Sequence, residues 1–544
     1  MRRLASLALM LAAAACGGGK GKAPDLVFAN GTEPETLDPA IITGVPESRL
    51  IRALYEGLTT QDPATLAIKP GVAESWEVSP DGLTYTFHLR KDAKWSNGDP
   101  VTAEDFDFAY RRALVPETAA QYAYQLFYIA GAEDFNAGKL KDWAQVGVKV
   151  VDPYTIVLTL RARTAFWLEL CAFQTLSPVN RKCIDTWGDD WVKPGKIVTN
   201  GAFVPTEWRM QDRITLEKNP YYWDKENVHL DRIRILPVDQ ANAAINLYET
   251  RGVEFMEEST VPRPLLDVLL KRDDMHRAPY LGTYFVRCNV TKPPFTDVRV
   301  RKAFAMAIDG QAIVEHITKG GELPAHTYVP PGLPGYAGPK GLAFDVEAAR
   351  ALLAEAGFPG GRGFPHVSYL YNTSQNHKDI AEVLQAQWEK NLGVKVELVN
   401  QEWKVYLNSQ RKLDYQLSRS AWIGDYADPN TFLDMFVTGG GNNNTGWSNA
   451  EYDAAIRAAA DEADPARRME IFRGAEKLLV EDELPIWPIY YYVSLNLYPR
   501  HVKGIPPNIL NLIDLKYVEV DRAEREAYLR GHGSPGRVVV ADLR

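Results

Sequence analysis

Segments with the patterns of short strands and of amphipathic helices alternate along most of this chain, and this alternation restricts it to mixed α/β architectures. Leu83–Arg90 alternates apolar and polar residues, as a half-buried strand does. Lys378–Asn391 has the spacing of an amphipathic helix and leads through Gly393 into the strand-like Val394–Val399. Because 544 residues exceed what a single core usually supports, we expect two or three lobes.

The first 15 residues have the pattern of a secretory signal peptide. Arg2 and Arg3 precede the apolar stretch LASLALMLAAAA, which is too short to span a membrane permanently. Small residues before Cys16 and the polar GGGKGK after it resemble a bacterial lipobox. This pattern predicts a lipid on Cys16, a flexible tether over residues 16–24, and a location in the periplasm or at the outer face of the cytoplasmic membrane. Ordinary cleavage with Cys16 incidental is the alternative.

Composition and spacing argue against several classes of function. A net charge of −9 without a long basic run excludes nucleic acid as an expected partner. With nine histidines and no ligand spacing, neither a metal site nor a cofactor is expected. Cys171, Cys183 and Cys288 leave at least one thiol unpaired after cleavage, and whether any two pair stays open. Since no other apolar run is long enough to cross a bilayer, we expect a tethered protein rather than an embedded one.

The stretch Asn400–Phe436 combines flat apolar surface with both signs of charge, as a ligand with an ammonium and a carboxylate would require. Its aromatic and charged members are Trp403, Tyr406, Trp422, Tyr426, Arg411, Arg419 and Asp425. Aromatic residues are also common in cores, so the composition of this stretch by itself is only suggestive.

Several long motifs resemble the peptide-type solute-binding proteins of ABC importers, most closely the oligopeptide-binding members. They are GVAESWEVSPDGLTYTFHLRKDAKWSNGDPVTAEDF (Gly71–Phe106), IVTNGAF (Ile197–Phe203), PPFTDVRVRKAFAMAID (Pro293–Asp309) and YNTSQNHKDIAEVLQAQWEKNLGVKVELVNQEW (Tyr371–Trp403). The resemblance covers nearly all of Leu26–Tyr517, and the motifs occur in the family's order.

The resemblance implies a three-lobed periplasmic binding protein fold of type II, in which two lobes close over the ligand. Lobe I would comprise residues 25–57, 182–281 and 492–520, lobe II residues 58–181, and lobe III residues 282–491. Independently of the resemblance, Gly and Pro in the centre of the final stretch REAYLRGHGSPGRVVVADLR predict a loose C-terminal tail over residues 521–544.

The resemblance also implies roles for individual residues. Asp425 would pair with the α-ammonium of a peptide, and Arg419 and His377 would serve its carboxylate end. The aromatic positions around the ligand would be Tyr122, Tyr280, Trp403 and Trp422. This chain departs from the family where a second cation is expected, because Gln410 stands there with Arg411 one step away; Arg411 is the candidate substitute.

Two further departures concern the cavity wall and a disulfide. Thr43 stands where the close relative has a glutamate that lines the pocket. The disulfide of that relative cannot form here, because its two positions are Gly282 and Ile423.

The resulting functional hypothesis is a monomeric, non-enzymatic receptor that captures oligopeptides. It would pair their backbone and clamp their termini, then deliver them to an ABC transporter permease and ATPase. One alternative is a different cargo on the same fold: a dipeptide, murein peptide, nickel chelate or sugar. The other is an exported hydrolase, for which Asp425 and Asp428 are the available carboxylates. No Gly-x-Ser-x-Gly elbow, HExxH helix or Cys–His motif supports the hydrolase.

Overall fold

A computed structural model describes residues 23–333 and 335–531. The signal peptide, Cys16 and most of the tether lie outside the described residues. The strands are β1 (Leu26–Ala29), β2 (Thr59–Gln61), β3 (Ile68–Pro70), β4 (Ala73–Val78), β5 (Thr84–Leu89), β6 (Val148–Asp152), β7 (Thr155–Thr159), β8 (Phe203–Arg209), β9 (Arg213–Lys218), β10 (Arg232–Leu236), β11 (Phe255–Met256), β12 (Met275–Cys288), β13 (Leu323–Pro324), β14 (Val367–Asn372), β15 (Val396–Gln401), β16 (Leu417–Ile423), β17 (Ile486–Leu497), β18 (Val502–Lys503) and β19 (Glu519–Val520).

The α-helices are α1 (Val45–Leu54), α2 (Ala103–Leu114), α3 (Ala132–Asn136), α4 (Trp167–Leu170), α5 (Arg181–Trp187), α6 (Ala241–Glu249), α7 (Leu266–Leu269), α8 (Val298–Met306), α9 (Gly310–Ile313), α10 (Val346–Glu355), α11 (Gln375–Leu392), α12 (Trp403–Arg411), α13 (Asn430–Leu433), α14 (Ala450–Asp461), α15 (Pro465–Lys477) and α16 (Arg522–Gly531). The mixed α/β fold class is confirmed. Local signals explain the helix ends that the sequence predicts: Thr102 and Asp105 form a capping box before α2, and α11 ends at Gly393 with φ of +73°.

One mixed sheet runs through the molecule in the strand order β15-β14-β16-β12-β17-β11-β1-β10-β9-β8, with β13 paired to β17. Its two longest strands, β12 and β17, are antiparallel neighbours at the centre. Alternate side chains of β12 enter two different apolar clusters: Tyr284 and Val286 pack on one side and Phe285 on the other. Since both faces of this strand are covered, its residues are buried without interruption from Tyr280 to Cys288.

The pairing of β12 with β17 shifts register between Pro279 and Thr283, and again between Tyr284 and Phe285. Before the first shift β12 pairs only with β17, whereas from Gly282 onward it also pairs with β16. The predicted boundaries of lobes I and III, at 281/282 and 491/492, fall inside these two strands. The chain therefore passes twice between predicted lobes I and III, once in β12 and once in β17, and these two strands are paired.

A separate four-stranded antiparallel sheet has the order β4-β5-β7-β6 and lies wholly within residues 58–181, the predicted lobe II. Its buried residues Phe87, Ile156 and Leu158 share one apolar cluster with residues of β1 and β8–β10. This sheet therefore shares its apolar core with the part of the main sheet formed by β1 and β8–β10.

The predicted loose tail is wrong for residues 522–531, which form α16. Arg525 donates to Glu254 at 2.8 Å, and the ring of Tyr528 lies 5.2 Å from that of His501. The segment RAEREAYLR is rich in strong helix formers, and these contacts hold it against the body of the protein. Residues 532–544 lie outside the described residues.

The cysteines do not pair: Cys171, Cys183 and Cys288 are all free and buried. Gly282 and Ile423, the two positions of the relative's disulfide, face each other across the β12–β16 ladder. Within the described ranges, no helix is long and apolar enough to cross a membrane. The same residues contain no group of three His, Cys, Asp or Glu side chains arranged to hold a metal ion.

Candidate binding site

A cavity of about 250 Å³ lies beside the central strands and is lined by residues from all three predicted lobes. The N-terminal part of the chain contributes Thr43 and the first turns of α1. Residues 419–425, at the end of β16, form the facing wall together with the first turns of α11 and α12. Thr43, where the relative has a glutamate, does line the cavity.

Asp425 lies just beyond the end of β16 and faces the cavity. Its carboxylate accepts a hydrogen bond from Gln125 Nε2 at 3.1 Å, and its backbone N–H donates to Thr431 Oγ1 at 2.9 Å. Burial, and then the negative charge of Asp434, raise the pKa of the Asp425 carboxyl well above its usual range. No cationic side chain in the described chain lies within ion-pair distance of Asp425, so a ligand cation would find this carboxyl uncompensated.

Arg419 lies on β16, six residues before Asp425, and also lines the cavity. Its guanidinium donates to Asn372 Oδ1 at 3.4 Å and to the Tyr492 hydroxyl at 3.2 Å, and it lies 5.1 Å from the centre of the Tyr284 ring. All three partners are uncharged, and the buried Nε has no hydrogen-bond partner among the described residues. Arg419 therefore presents a cation without a protein counter-charge.

His377 lies in the first turn of α11 and lines the same cavity. Burial, and then the positive charges of Arg419 and Arg263, hold the pKa of His377 well below its ordinary value. The imidazole is consequently neutral at physiological pH, and its buried Nδ1 has no hydrogen-bond partner in the described part of the chain. His377 can offer a hydrogen bond to an anionic ligand group, but it adds no charge.

The four aromatic candidates all line the cavity. The ring of Tyr122 lies 5.7 Å from that of Trp422, and Trp422 Nε1 donates to Thr431 O at 2.6 Å. Tyr280 is nearly fully buried, and its ring lies 6.0 Å from that of Tyr492. These contacts hold each ring in a defined orientation, so they form rigid apolar walls.

Trp403, the fourth aromatic candidate, also bridges two predicted lobes. Its Nε1 donates to Glu47 Oε1 at 2.9 Å, and Glu47 belongs to α1 in the N-terminal segment. Burial raises the pKa of this Glu47 carboxyl. Trp403 thus contacts the cavity while joining the segments predicted as lobes I and III.

Arg411, the predicted substitute for the second cation, does not line the cavity, so that prediction is wrong. It is absent from the cavity lining, and its guanidinium forms an ion pair with Glu35 at 2.5 and 3.3 Å. Gln410 does not line the cavity either. It is buried, and its Nε2 donates to the Tyr406 hydroxyl at 2.7 Å, to Ser418 Oγ at 2.9 Å and to the backbone carbonyl of Arg419 at 3.1 Å. This position buttresses the strand that carries Arg419.

The Glu35–Arg411 ion pair joins the N-terminal segment to α12, so we expect it to stabilise the arrangement that encloses the cavity. Because both side chains are partly exposed, replacing Arg411 with Gln should weaken ligand binding by no more than about fivefold. The effect should fall on the dissociation rate, measured by stopped-flow fluorescence. A double-mutant cycle with Glu35→Gln is the check: purely additive effects would contradict a contribution from the pair.

Sequence reasoning missed several residues of the site. Gln125, the partner of Asp425, lies three positions after Tyr122, and Tyr492 and Asn372, the partners of Arg419, lie on other strands. Arg52 of α1 also lines the cavity. Nothing in their local sequence distinguishes them from core or surface residues, since only the tertiary pairing brings them together.

The arrangement does not support the acid–base chemistry of a hydrolase. Asp428 is absent from the cavity lining, and both of its oxygens accept from Arg468, at 2.6 and 2.9 Å. A carboxylate held this way is an ion-pair partner and not a free base beside Asp425. The geometry instead suits a ligand of about this cavity's size that carries a cation at one point and an anion at another.

The chain is similar to a family of known proteins. The model of the family described as bacterial extracellular solute-binding proteins, family 5 Middle, matches residues 67–444. The periplasmic oligopeptide-binding protein OppA of Escherichia coli K12 is 38% identical over 493 residues, which cover 88% of this chain and 89% of the relative.

The dipeptide-binding protein DppE of Bacillus subtilis 168 is also 38% identical, over 506 residues that cover 90% of this chain and 91% of the relative. Among solved structures, Haemophilus influenzae OppA in complex with the peptide RPPGFSPFR superposes with a TM-score of 0.87 at 34% identity. The superposition covers 91% of this chain and 98% of the Haemophilus influenzae protein.

Proposed function

This chain belongs to family 5 of the bacterial extracellular solute-binding proteins, and from that membership we propose that it captures oligopeptides for an ABC transporter. The observation that carries the proposal is that one cavity holds a carboxyl, Asp425, and a guanidinium, Arg419, and that neither has an ion-pair partner among the described residues. A peptide has an ammonium and a carboxylate at its two ends whatever its side chains are. A receptor that pairs with those ends and with the backbone therefore accepts many sequences.

The proposed site assigns Asp425 to the peptide ammonium and Arg419 to its carboxylate, with neutral His377 as an additional hydrogen-bonding group. The planar guanidinium suits a carboxylate because two parallel hydrogen bonds fix its geometry. Tyr122, Tyr280, Trp403 and Trp422 would lie beside the peptide's side chains.

A dipeptide is the second candidate cargo, because the dipeptide-binding relative is as similar to this chain as the oligopeptide-binding one. We favour oligopeptides because a structure solved with the nine-residue peptide RPPGFSPFR superposes on this chain with a TM-score of 0.87.

The remaining assignments are parts of the same proposal. The protein acts outside the cytoplasm, held to the membrane by a lipid on Cys16, and works as a monomer that passes its ligand to a permease and ATPase complex. The predicted lobes I and III close over the ligand about the paired strands β12 and β17, where the register shifts lie.

Native mass spectrometry of the purified protein tests the proposal directly. We expect a series of bound masses that correspond to peptides of three or more residues, and the ligand-free protein should bind added peptides without cleaving them. A single bound mass of two residues would favour the dipeptide alternative, and turnover of labelled peptides would contradict a receptor. Labelling with palmitate, with and without Cys16→Ser, tests the anchor.

Peptide binding should release a proton from Asp425. The raised pKa of its carboxyl means that the ligand-free form retains a proton at pH values where an ordinary aspartate is ionised. A bound ammonium stabilises the ionised carboxylate and lowers this pKa, so affinity should fall as the pH is lowered through the raised value.

Isothermal titration calorimetry in two buffers of different ionisation enthalpy measures the released proton. An N-acetylated peptide, which lacks the ammonium, is the control and should release none. Equal proton release by both peptides would assign the effect to another group.

A further inference from the structure

Three of the charged side chains that line the cavity, Arg49, Glu257 and Glu258, are neutralised by ion pairs inside the protein. Arg49 donates to Glu257 at 2.6 Å, and Glu258 accepts from Arg263 at 2.5 Å. In the proposed function, Asp425 and Arg419 are reserved for the two ends of the peptide, and His377 is neutral. Two lining charges, Asp239 and Arg52, remain without an ion-pair partner among the described residues.

Arg52, the cation of these two, is partly buried beside the cavity. It lies in the last turn of α1 and makes no hydrogen bond or ion pair within the described chain. Burial lowers the pKa of Arg52, and the opposing attraction of Asp514 acts beyond ion-pair distance. An arginine retains its charge even so, and Arg52, which is half-buried, holds that charge at the cavity wall. The negative end of α1 neutralises only a small part of this charge.

The position of Arg52 also points toward the ligand. It lines both the main cavity and a small polar pocket of about 30 Å³, and Gln174 lines the same two spaces. Ser48, one turn earlier on α1, donates to Gln174 at 2.5 Å, and the ring of the adjacent Phe173 lies 5.1 Å from that of Tyr122. Arg52 therefore belongs to the wall that contains Tyr122, on α1 rather than on β16, the strand of Arg419.

We propose that Arg52 is a specificity-determining residue that binds a carboxylate on a side chain of the peptide, so that this receptor favours acidic peptides. This inference rests on the proposed function and deepens it. A ligand carboxylate can come from an acidic side chain or from the peptide's C-terminus; the experiment separates these two sources.

The test uses alanine tetrapeptides with one glutamate or one glutamine at each position in turn, titrated into the ligand-free protein. At one position or more, glutamate should bind at least about tenfold more tightly than glutamine, because a charge-assisted hydrogen bond is made in a desolvated site. In Arg52→Gln this ratio should fall to about one, while tetra-alanine binds as before. Arg52→Lys, which retains the charge without the planar fork, should keep a preference of a few-fold.

Three results would overturn the inference: no preference for glutamate in the parent protein, a preference that persists in Arg52→Gln, or a loss that follows amidation of the C-terminus instead of the exchange of glutamate for glutamine. Arg411→Gln, an arginine ion-paired outside the cavity, is the matched control and should retain the parent's ratio. If Arg52→Gln fails to fold, the Arg52→Lys ratio decides: a ratio equal to the parent's would overturn the inference. If tetra-alanine and all its variants fail to bind the parent protein, the proposed function itself is wrong.

Discussion

Replacing Asp425 with Asn should weaken the binding of free-amine peptides by about 2–5 kcal/mol, or roughly 30-fold to 5,000-fold. Asn has nearly the same shape and can still accept from Gln125, so the loss comes from the missing charge opposite the ammonium. Isothermal titration calorimetry with one peptide in free-amine and N-acetylated forms measures the effect. The acetylated form should bind both proteins with similar affinity.

The same variant separates a binding role from a structural one. Because burial raises the pKa of Asp425, its ionisation costs the ligand-free fold stability as the pH rises through the raised value. Asn has no such cost, so the ligand-free Asp425→Asn protein should melt at the same temperature as the parent at neutral pH, or higher.

A lower melting temperature with equal loss of both peptides would make Asp425 a structural residue. Asp434→Asn is the matched control, because Asp434 is a buried carboxyl nearby that does not line the cavity and whose pKa burial raises to about 8. It should preserve the discrimination between the two peptides.

Replacing Arg419 with Met should weaken the binding of free-acid peptides by a similar amount, about 2–5 kcal/mol, and leave C-terminally amidated peptides nearly unaffected. Met retains the apolar stem that lies over Tyr284 and removes a cation whose protein partners are all neutral. The ligand-free protein should therefore tolerate the change. Titration calorimetry with the acid and the amide of one peptide gives the difference directly.

A second readout of Arg419→Met is the titration of His377. Burial is the largest cause of the lowered pKa of His377, and the positive charge of Arg419 is the second. Removing the Arg419 charge should therefore raise the pKa of His377 toward the ordinary value. Nuclear magnetic resonance of the imidazole follows this titration in the ligand-free protein. An unchanged His377 together with equal loss of acid and amide peptides would contradict the proposed carboxylate site.

Local sequence signals predict individual elements of the fold. The alternating Leu83–Arg90 forms β5, and the amphipathic Lys378–Asn391 forms most of α11. In both cases the pattern reflects one buried face, which a short segment records by itself. The helix α16 was missed because the Gly and Pro residues that follow it dominated the reading of the tail.

The site was predictable to the extent that the family motifs carry it. Asp425, Arg419, His377 and the four aromatic residues all line one cavity, although they come from separate parts of the chain. Arg411 shows where this reasoning stops: it lies in the same short stretch, but its guanidinium contacts Glu35, 376 positions earlier in the chain. Proximity in sequence to a binding residue does not specify which groups a side chain contacts.

The sequence by itself determined the α/β class, the family, and the mixture of rings and charges in Asn400–Phe436. Only the tertiary structure decided which of those charges are available to a ligand. A charged side chain is neutralised or left uncompensated by groups a few ångströms away, and the folding of the sheet brings those groups from distant segments. Asp425 and Arg419 are left with neutral partners, and Arg411 is paired. Arg52, which no motif identified, has no ion-pair partner among the residues that the structure describes.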